Sequence, residues 1–550
     1  MSLNLSSQAN SSHRSRNDAG SLVDDFVDSP VDTLRLPEMF NDGKSVMPCR
    51  KGFLPSRGSL FVDVESDRMF LKELMEEAKD VVEKVENEFS QDGSKGKKKP
   101  HREDVNLDSG RSNKQSSVYT ESTVSPEMFD TVLLNSQSVT DLQKALQNET
   151  NKNLQQNGQL KGSIGGKKGR RNVVDLRTLL TLCAQAVAAD DRRSANELLK
   201  QIKQHSDPTG DGMQRLANYF VDGLEARLAG SGTQSYNPVV TKPTSAANFL
   251  KAYHLFLAAC PFKKLSDYFS NTTIMNLAEN VARLHIIDFG ILYGFQWPGL
   301  IQRLSSRSGG APKLKITGID LPQPGFRPAE RVEETGHRLA NYAKTFKVPF
   351  EFHAIAQKWD TIQIEDLKIE GGEVLVVNCF FRLRNLLDET VVVDSPRNKV
   401  LNLIRKLNPN VFILAIVNGA YSAPFFITRF REALFHYSTL FDMLETNVPR
   451  EIPERRLIES EIFGWEVMNV IACEGAERIE RPETYKQWQV RNKRAGFRQL
   501  PLNTAIMKTA KERFQACYHK DFVIDEDNGW LLQGWKGRTV YALSSWEPAS

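Results

Sequence analysis

The stretch Leu284–Leu304, LHIIDFGILYGFQWPGLIQRL, decides the fold that we expect for the rest of the chain. Its first six residues, Leu284–Phe289, form a short apolar run with two adjacent isoleucines, which is typical of a strand buried on both faces. Gly290 and Gly294 predict a turn after this strand, and Pro298 suits the first turn of a helix. A strand, a glycine-containing turn and a helix form the opening unit of a doubly wound α/β sheet, in which ligands bind beyond the carboxyl ends of the strands.

Two interpretations of this turn remain open. In the first, the turn belongs to the cofactor pocket of an enzyme. Asp288 ends the first strand and Asp320 ends the next predicted strand, where adenosylmethionine-dependent methyltransferases place an acidic partner for the ribose. A cofactor pocket would then consist of Asp288, Gly290, Gly294 and Asp320. In the second, the turn has a structural role only: each aspartate ends a buried strand and accepts hydrogen bonds from N–H groups of the turn.

The spacing of the glycines favours a structural role of the turn over cofactor binding. A cofactor loop needs closely spaced glycines so that backbone N–H groups can approach an anionic group. Here the two glycines are four residues apart, and Ile291, Leu292 and Tyr293 lie between them. We expect these bulky side chains to fill the room that a cofactor needs, so we predict no cofactor and no catalysis.

The composition predicts a soluble intracellular protein that does not contact a membrane. The 550 residues carry a formal charge of +4 and a pI near 8.5, less basic than the pI above about 9 that marks a nucleic-acid-binding domain by itself. The six cysteines are far apart and form no CxxC pair, which argues against a disulfide framework or a structural zinc site. No apolar run reaches the roughly 18 residues of a membrane span, and the polar N-terminus does not match a signal peptide.

Residues 1–171 are expected to be a largely disordered regulatory arm. They are rich in polar residues and poor in aromatic ones, so they cannot bury enough apolar surface to offset the entropy of ordering. The acidic segment 66–90 repeats apolar residues at helical spacing, which fits either a solvated helix or a segment that folds on a partner. The basic clusters 95–99 and 167–171 fit nuclear-import signals, phosphate contacts or solvated linkers. The import candidates are Lys167, Lys168, Arg170 and Arg171.

From residue 172 onward the chain shows helical periodicity and then alternating strands and helices. Leucine-rich helices are predicted within 173–235, and further helices over Ser245–Ala259 and Thr272–Ala282, which together form a cap ahead of the sheet. The LxxLL pattern of Leu176–Leu180 fits either a helix that faces the core or a coactivator-groove motif.

The apolar runs after the first strand predict the remaining sheet. The further strands are expected at Leu314–Ile319, Phe350–Ile355, Glu373–Asn378 and Val411–Val417. A long helix over Pro424–Glu445 follows. Trp530–Trp535 and Arg538–Trp546 around Lys536–Gly537 predict an antiparallel hairpin. The predicted fold class is therefore α/β, with a doubly wound, mostly parallel, methyltransferase-like (Rossmann-type) sheet, a helical cap and a C-terminal hairpin.

Several motifs, in this order, resemble those of the plant GRAS family. LHIID is similar to the family's VHIID motif, with Leu in place of the usual Val, and consists of Leu284, His285, Ile286, Ile287 and Asp288. The PFYRE motif is matched by Pro349, Phe381, Arg431 and Glu432. Phe381 stands where the family usually has Tyr, so any hydrogen bond from that hydroxyl is lost. The SAW motif is matched by Ser544 and Trp546, with Ser for Ala.

The resemblance covers about 173–548 and implies how residues 172–550 are divided. Residues 250–264, LKAYHLFLAACPFKK, resemble the scarecrow-like branch, which has long N-terminal extensions. The implied regions are the leucine-rich helices 173–235, the VHIID region 250–320, a second leucine-rich region 326–368, the PFYRE region 373–470 and the SAW region 473–548.

The resemblance implies a plant nuclear regulator of transcription without catalytic activity. Its implied partners are other transcription factors and co-regulators, and GRAS proteins in homo- or heterodimers. Direct binding to promoter DNA stays open, because no helix-turn-helix, zinc-finger or basic-zipper spacing is present. The run RNKRAGFR is either a solvated helix end or a DNA contact. Its candidate residues are Arg491, Lys493, Arg494 and Arg498.

Overall fold

One mixed sheet organises the described residues of the computed structural model. Its nine strands are β1 (Arg283–Phe289), β2 (Lys313–Asp320), β3 (Phe350–Ala356), β4 (Val374–Phe380), β5 (Val411–Val417), β6 (Phe497–Gln499), β7 (Phe522–Asp527), β8 (Trp530–Trp535) and β9 (Arg538–Pro548). Their spatial order is β3-β2-β1-β4-β5-β9-β8-β7, with β6 paired to β9. β1 to β5 run parallel, and β5 pairs antiparallel with β9. The strand order reverses between β1 and β4, which makes their carboxyl ends the switch point of the sheet.

The structure describes residues 126–134, 136–160, 174–232 and 246–549. The acidic segment 66–90 and the two basic clusters lie outside these described residues. Within the described ranges, no helix is both long enough and apolar enough to span a bilayer.

The described helices precede the sheet and alternate with its strands. They are α1 (Pro126–Leu133), α2 (Ser136–Leu160), α3 (Leu176–Ala188), α4 (Arg192–His205), α5 (Gly212–Leu228), α6 (Ala246–Ala259), α7 (Phe262–Leu277), α8 (Trp297–Ser305), α9 (Glu330–Thr345), α10 (Pro396–Leu407), α11 (Phe426–Asn447), α12 (Pro453–Ile458), α13 (Trp465–Ala472), α14 (Tyr485–Arg494), α15 (Thr504–Thr509) and α16 (Gln515–Cys517). Two π-helical segments, Glu459–Gly464 and Ala510–Phe514, join α12 to α13 and α15 to α16.

The parallel strands are buried on both faces because helices cover each side of the sheet. On one face, Ile286 of β1 and Ile413 of β5 pack with α7, α8 and α9. On the other, Ile287 and Leu414 pack with α10 and α14. Every residue of β5 is buried. A period of two therefore assigns alternate residues to the two faces, as the unbroken apolar runs predict.

The helical cap is assembled from two parts of the chain. α2 to α6 share a hydrophobic core with α11, α12 and α13, which follow β5 in sequence. The predicted helical cap ahead of the sheet thus gains three further helices from the part of the chain that follows β5. The leucines of the LxxLL pattern point into this core: Leu176 and Leu180 are buried and Leu179 is partly buried, so the core-facing interpretation is confirmed.

Part of the stretch assigned to a disordered arm is helical and packed. α1 and α2 lie within residues 1–171, and Phe129, Val132, Val139 and Leu146 are buried. The expectation of disorder fails for these residues because they pack against distant helices, which the local composition does not reveal.

Two helix boundaries also differ from the predicted ones. The helix predicted over Thr272–Ala282 begins ten residues earlier, directly after Pro261, and ends at Leu277. The long helix predicted over Pro424–Glu445 spans Phe426–Asn447. The predicted hairpin is confirmed: Lys536 and Gly537 both have positive φ, 48° and 82°, as a type I′ turn requires.

Candidate functional site

His285 in the LHIID motif links β1 to its two neighbouring strands and is fully buried. Its Nδ1 lies 2.6 Å from Glu373 Oε1, and its Nε2 lies 2.8 Å from Thr317 Oγ1. Glu373 directly precedes β4 and Thr317 lies in β2, so the ring joins β1 to both of its neighbours. Burial lowers the pKa of His285, and the contact with Glu373 opposes this shift. A carboxylate, an imidazole and a hydroxyl are also the parts of a nucleophilic triad, but His285 and Thr317 are fully buried, so we assign this group a structural role.

Asp288, at the end of β1, is held by two side chains from different elements. Its Oδ2 accepts a hydrogen bond from Trp297 Nε1 at 2.8 Å, and its Oδ1 accepts one from Asn378 Nδ2 at 3.1 Å. Burial raises the pKa of Asp288 to about 6, although both hydrogen bonds act in the opposite direction. The prediction that turn N–H groups satisfy Asp288 is therefore wrong, because Trp297 and Asn378 reach the carboxylate instead.

A buried amide network continues from Asp288 toward the helices. Gln296 Nε2 donates to Ser270 Oγ at 2.9 Å and to Asn271 Oδ1 at 3.1 Å. Ser270 Oγ donates to Asn378 Oδ1 at 3.0 Å, and Asn378 Nδ2 lies 3.3 Å from Gln296 Oε1. The network connects α7, the turn after β1, and β4. Because its buried groups are paired, it fixes how these elements meet.

The turn after β1 is closed on the side of β2. The N–H groups of Gly290 and Ile291 donate to the carbonyl oxygen of Ile319, at 2.8 and 3.1 Å. The Ile291 side chain lies against Gly318, where an added Cβ would be 2.9 Å from Ile291 Cδ1. These N–H groups are therefore unavailable to an anionic ligand, and Ile291 fills the space above β2.

Asp320 takes part in this closed side and does not join Asp288 in a pocket. Its Oδ2 lies 2.7 Å from Arg331 Nη2, and its Oδ1 accepts the N–H of Leu321 at 2.8 Å. The predicted bond from a turn N–H group is thus confirmed for Asp320, with an ion pair in addition. The residues that an adenosylmethionine site would need do not fit the cofactor, because the ribose partner is neutralised and the loop N–H groups are bonded to β2.

The side of β1 that faces β4 is open. A cavity of about 400 Å³ lies there between the carboxyl edge of the sheet and the helical cap. Asp288 and Gly290 line it, whereas Asp320 does not. Aromatic rings form much of its wall, among them Tyr253, Phe256, Phe380, Phe381, Trp465 and Tyr541. The prediction that bulky residues fill this edge is correct on the β2 side, where Ile291 covers Gly318. On the β4 side, Ile291, Leu292 and Tyr293 line the cavity without closing it.

Two residues that line the cavity have a backbone conformation that L-residues rarely adopt. Phe381, directly after β4, has φ +62°, and Leu292 in the turn after β1 has φ +49°. Such residues cost about 1–3 kcal/mol each, and they are concentrated at functional sites. The turn at Phe381 brings its ring within 5.1 Å of Tyr541.

Sequence reasoning missed the charged side chains that follow β4. Arg384 forms ion pairs with Glu466, and with Glu480 at 2.9 Å. Arg382 lies on Gly290, where an added Cβ would be 2.6 Å from Arg382 Cγ. The signal was present in FFRLRN, since two arginines directly after a buried strand must lie at the carboxyl edge of the sheet.

The residues matched to the PFYRE motif lie far apart. The carbonyl oxygen of Pro349 accepts the N–H of Leu314, which positions β3 beside β2. Arg431 is exposed on α11, and Glu432 lies 3.9 Å from Arg538. The fully buried arginine of α11 is Arg429, which donates to Val470 O at 2.9 Å.

The residues matched to the SAW motif lie together in β9. Trp546 Nε1 donates to Ser544 Oγ at 2.7 Å, and both residues are buried. Trp546 is paired with Phe412 of β5 in the sheet register. The two residues therefore attach the C-terminal hairpin to the parallel strands.

The basic residues proposed for DNA contact lie at the end of α14 and in β6. Arg491 is engaged with two carboxylates, since its guanidinium donates to Glu483 at 2.6 Å and to Glu389 at 2.9 Å. Arg498 pairs with Glu547, whereas Lys493 and Arg494 are exposed. A role of these four residues in DNA binding stays a prediction.

Comparison with known proteins gives matches over most of the chain. The GRAS domain family matches residues 176–547. Scarecrow-like protein 14 of Arabidopsis thaliana is 52% identical over 545 residues, covering 93% of this chain and 70% of that protein. Scarecrow-like protein 9 of the same plant is 56% identical over 477 residues, covering 83% of this chain and 66% of that protein. The crystal structure of SCL7 from Oryza sativa aligns with a TM-score of 0.58 and 28% identity, over 68% of this chain and 100% of that chain.

Proposed function

This chain belongs to the GRAS family, in which its relatives are scarecrow-like proteins of plants, and we propose that it regulates transcription in the plant nucleus without catalysis. It acts through contacts with other transcription factors and co-regulators and as a dimer with GRAS proteins. The closed β2 side of β1 supports the proposal that the protein does not catalyse a reaction. There, Arg331 neutralises Asp320, and the carbonyl oxygen of Ile319 accepts hydrogen bonds from N–H groups of the turn.

The alternative function is an adenosylmethionine-dependent methyltransferase that uses Asp288 and Asp320. The geometry speaks against it, because the two aspartates do not line one cavity. Calorimetry of the full chain with S-adenosylmethionine is expected to give no binding heat. Micromolar binding that Asp320→Ala weakens would overturn the non-catalytic proposal.

Nuclear entry is proposed to depend on the basic cluster 167–171. Replacing Lys167, Lys168, Arg170 and Arg171 with Gln should prevent nuclear accumulation of a fluorescent fusion of the full chain in plant cells. The matched control replaces the four lysines of 95–99, Lys95, Lys97, Lys98 and Lys99, which removes the same charge elsewhere in the polar arm. Equal nuclear accumulation of the wild type and the 167–171 variant would contradict this assignment.

Regulation of transcription is tested by tethering the full chain to a reporter promoter through a foreign DNA-binding domain. Reporter output in plant cells is expected to change in either direction when the chain is tethered. The Trp297→Ala variant, which we expect to fold poorly, serves as the control. Unchanged output with the folded, nuclear wild-type chain would contradict the proposed role.

Direct contact with promoter DNA is proposed to use Lys493 and Arg494, the two exposed members of the basic run. Removing one cation that binds a phosphate should lower the salt slope of DNA binding by about one, so Lys493→Gln with Arg494→Gln should lower it by about two. Arg491→Gln is expected to act on stability instead, because Glu389 and Glu483 already neutralise that guanidinium. If the salt slope of DNA binding is unchanged in the double variant, these two residues do not contact DNA, and partner transcription factors would have to bring the protein to promoters.

A further inference from the structure

We propose that the cavity between β1, β4 and the helical cap binds a small molecule with an apolar ring body and one carboxylate, and that Arg382 holds the carboxylate. This inference goes beyond the proposed function, because it adds a small-molecule ligand to a protein that acts through macromolecular partners. It rests on the charged side chains and aromatic rings that line the cavity, and on the backbone conformation of the lining residues.

Arg382 is the charged side chain of the cavity wall to which the described residues offer no hydrogen bond or ion pair. Its Nε is buried without a partner. The other charged groups of the wall are engaged: Lys263 pairs with Asp267, Asp288 accepts two hydrogen bonds, and Arg384 is held between Glu466 and Glu480. Glu461 also has an interaction of its own. A guanidinium nitrogen that is buried without a hydrogen-bond partner is costly, and a carboxylate can satisfy a guanidinium with two parallel hydrogen bonds.

The walls fit a ring-shaped apolar body. The volume of about 400 Å³ lies within the range of pockets that hold small organic ligands. The rings of Phe381 and Tyr541 meet at an angle of 64°, and Lys263 lies over the ring of Phe380. Few precisely placed polar groups among aromatic walls are typical of a small-molecule site.

The strained residues support a binding role for this cavity. Phe381 immediately precedes Arg382, and its positive φ sets the direction in which the chain leaves β4. As a result, Arg382 lies across Gly290 at the switch point of the sheet. Ligands of doubly wound sheets bind at this point, and the cavity lies there, on the β4 side of β1.

A larger groove elsewhere does not carry a comparable inference. It encloses about 900 Å³ beside α10 and α14. Its partly buried cation is paired, since Arg491 binds Glu389 and Glu483, and its other two cations, Lys486 and Arg494, are exposed to solvent. Volume alone therefore does not identify a ligand, whereas a buried guanidinium nitrogen without a partner does.

Binding in the cavity would stabilise the contact between the cap and the sheet. Tyr253 and Phe256 of α6 belong to the cap, whereas Phe380 belongs to β4, and all three line the cavity. A ligand that touches both parts favours the folded arrangement in which they meet, and stability rises with its concentration. The cavity is thus a place where a small molecule can affect the surface that the cap presents to partners.

The test compares two fluorescent probes with the same ring system, 1-pyrenebutyrate and its uncharged analogue 1-pyrenebutanol. The full chain is expected to bind one 1-pyrenebutyrate per protein, at least about tenfold more tightly than 1-pyrenebutanol, because a charge-assisted contact is made only with the acid. Arg382→Met should abolish this preference and leave the affinity for the alcohol within about twofold. Arg382→Lys should retain part of the preference.

The matched control is Arg431→Met, which removes an exposed arginine of α11 that does not line the cavity. It should bind both probes as the wild type does. Equal affinity of the wild type for the two probes, or binding of several molecules per chain, would overturn the proposal even if Arg382→Met fails to fold. A folded Arg382→Met variant that keeps the preference for the acid would also overturn it, and so would a loss of preference in Arg431→Met.

Discussion

The two sides of β1 differ in what lies beyond their carboxyl ends. Toward β2, Ile291 covers Gly318, the N–H groups of the turn are bonded to Ile319, and Asp320 is paired with Arg331. Toward β4, the turn borders a cavity of about 400 Å³, and Arg382 lines it without a partner. One strand therefore separates a side that is filled from a side that is open.

The two sides of β1 show that a fold can keep one part of its ligand-binding edge open while the other part is filled. The strand order still creates a switch point between β1 and β4. Closing the β2 side needs only a bulky residue in the turn and an arginine that reaches the second aspartate. Function must therefore be argued from the groups that remain accessible, because the fold alone does not assign it.

The largest expected effect comes from Trp297→Ala, which removes the side chain shared by both sides. Trp297 is fully buried and donates to Asp288, so the variant should lose about 4 kcal/mol of unfolding free energy or fail to fold. Urea-induced unfolding measures this loss. Phe425→Ala, at a side chain that is 78% exposed, should change the free energy by less than about 0.5 kcal/mol. A well-folded Trp297→Ala protein of wild-type stability would contradict the assigned role.

The free energy of unfolding is expected to depend on pH through Asp288, which lines the cavity on the open side. Its folded pKa of about 6 exceeds the ordinary value of 3.8, so the folded state binds the proton more tightly than the unfolded state. The contribution of Asp288 to stability is thus fully present below pH about 4 and is lost as pH rises to about 6, by on the order of 3 kcal/mol.

Asp288→Asn removes this titration and is the reference for the measurement. Between pH 4 and 6 the unfolding free energy of the wild type should fall relative to that of Asp288→Asn, and above about pH 7 the difference should stay constant. A difference that does not change between pH 4 and 6 would show that Asp288 does not titrate in this range.

The turn itself is tested by Gly294→Leu. Gly294 has φ +67°, and an added Cβ would lie 2.8 Å from Thr335 Cγ2, whereas Gly230 has φ +64° and nothing within 4 Å. Both leucine variants bear the cost of a left-handed conformation, about 1–2 kcal/mol. Only Gly294→Leu should lose about 2 kcal/mol more through overpacking. Equal losses in urea unfolding would mean that α9 moves aside without cost.

The smallest effect is expected on the closed side, from Arg331→Met. It leaves Asp320 buried without its ion pair, and because Arg331 is itself 23% exposed, we expect a loss of about 1–2 kcal/mol. Arg327→Met removes an exposed pair with Glu330 and should cost less than about 0.5 kcal/mol. If thermal unfolding shows the same loss of unfolding free energy for both variants, Arg331 does not stabilise the closed side.

Residue patterns were sufficient for seven of the nine described strands, β1 to β5, β8 and β9, whereas β6 and β7 were not predicted. The apolar runs predicted β1 to β5 to within two residues at each end, and Lys536–Gly537 predicted the hairpin. These features depend on burial and on backbone preferences that repeat every two residues or within one turn, so neighbouring residues carry the whole signal. The helical stripes predicted α3, α4 and α5 for the same reason.

Contacts between distant residues decided the rest. The packing of α11 to α13 into the cap, the order of 126–160, the pairing of Arg384 with Glu480 and the lack of a partner for Arg382 depend on which segments meet in space. The sequence by itself determined a doubly wound sheet with aspartates at its carboxyl edge, because periodicity is a local property. Only the tertiary structure decided that the β2 side is filled and the β4 side is open, because packing and charge pairing are properties of residues far apart in the chain.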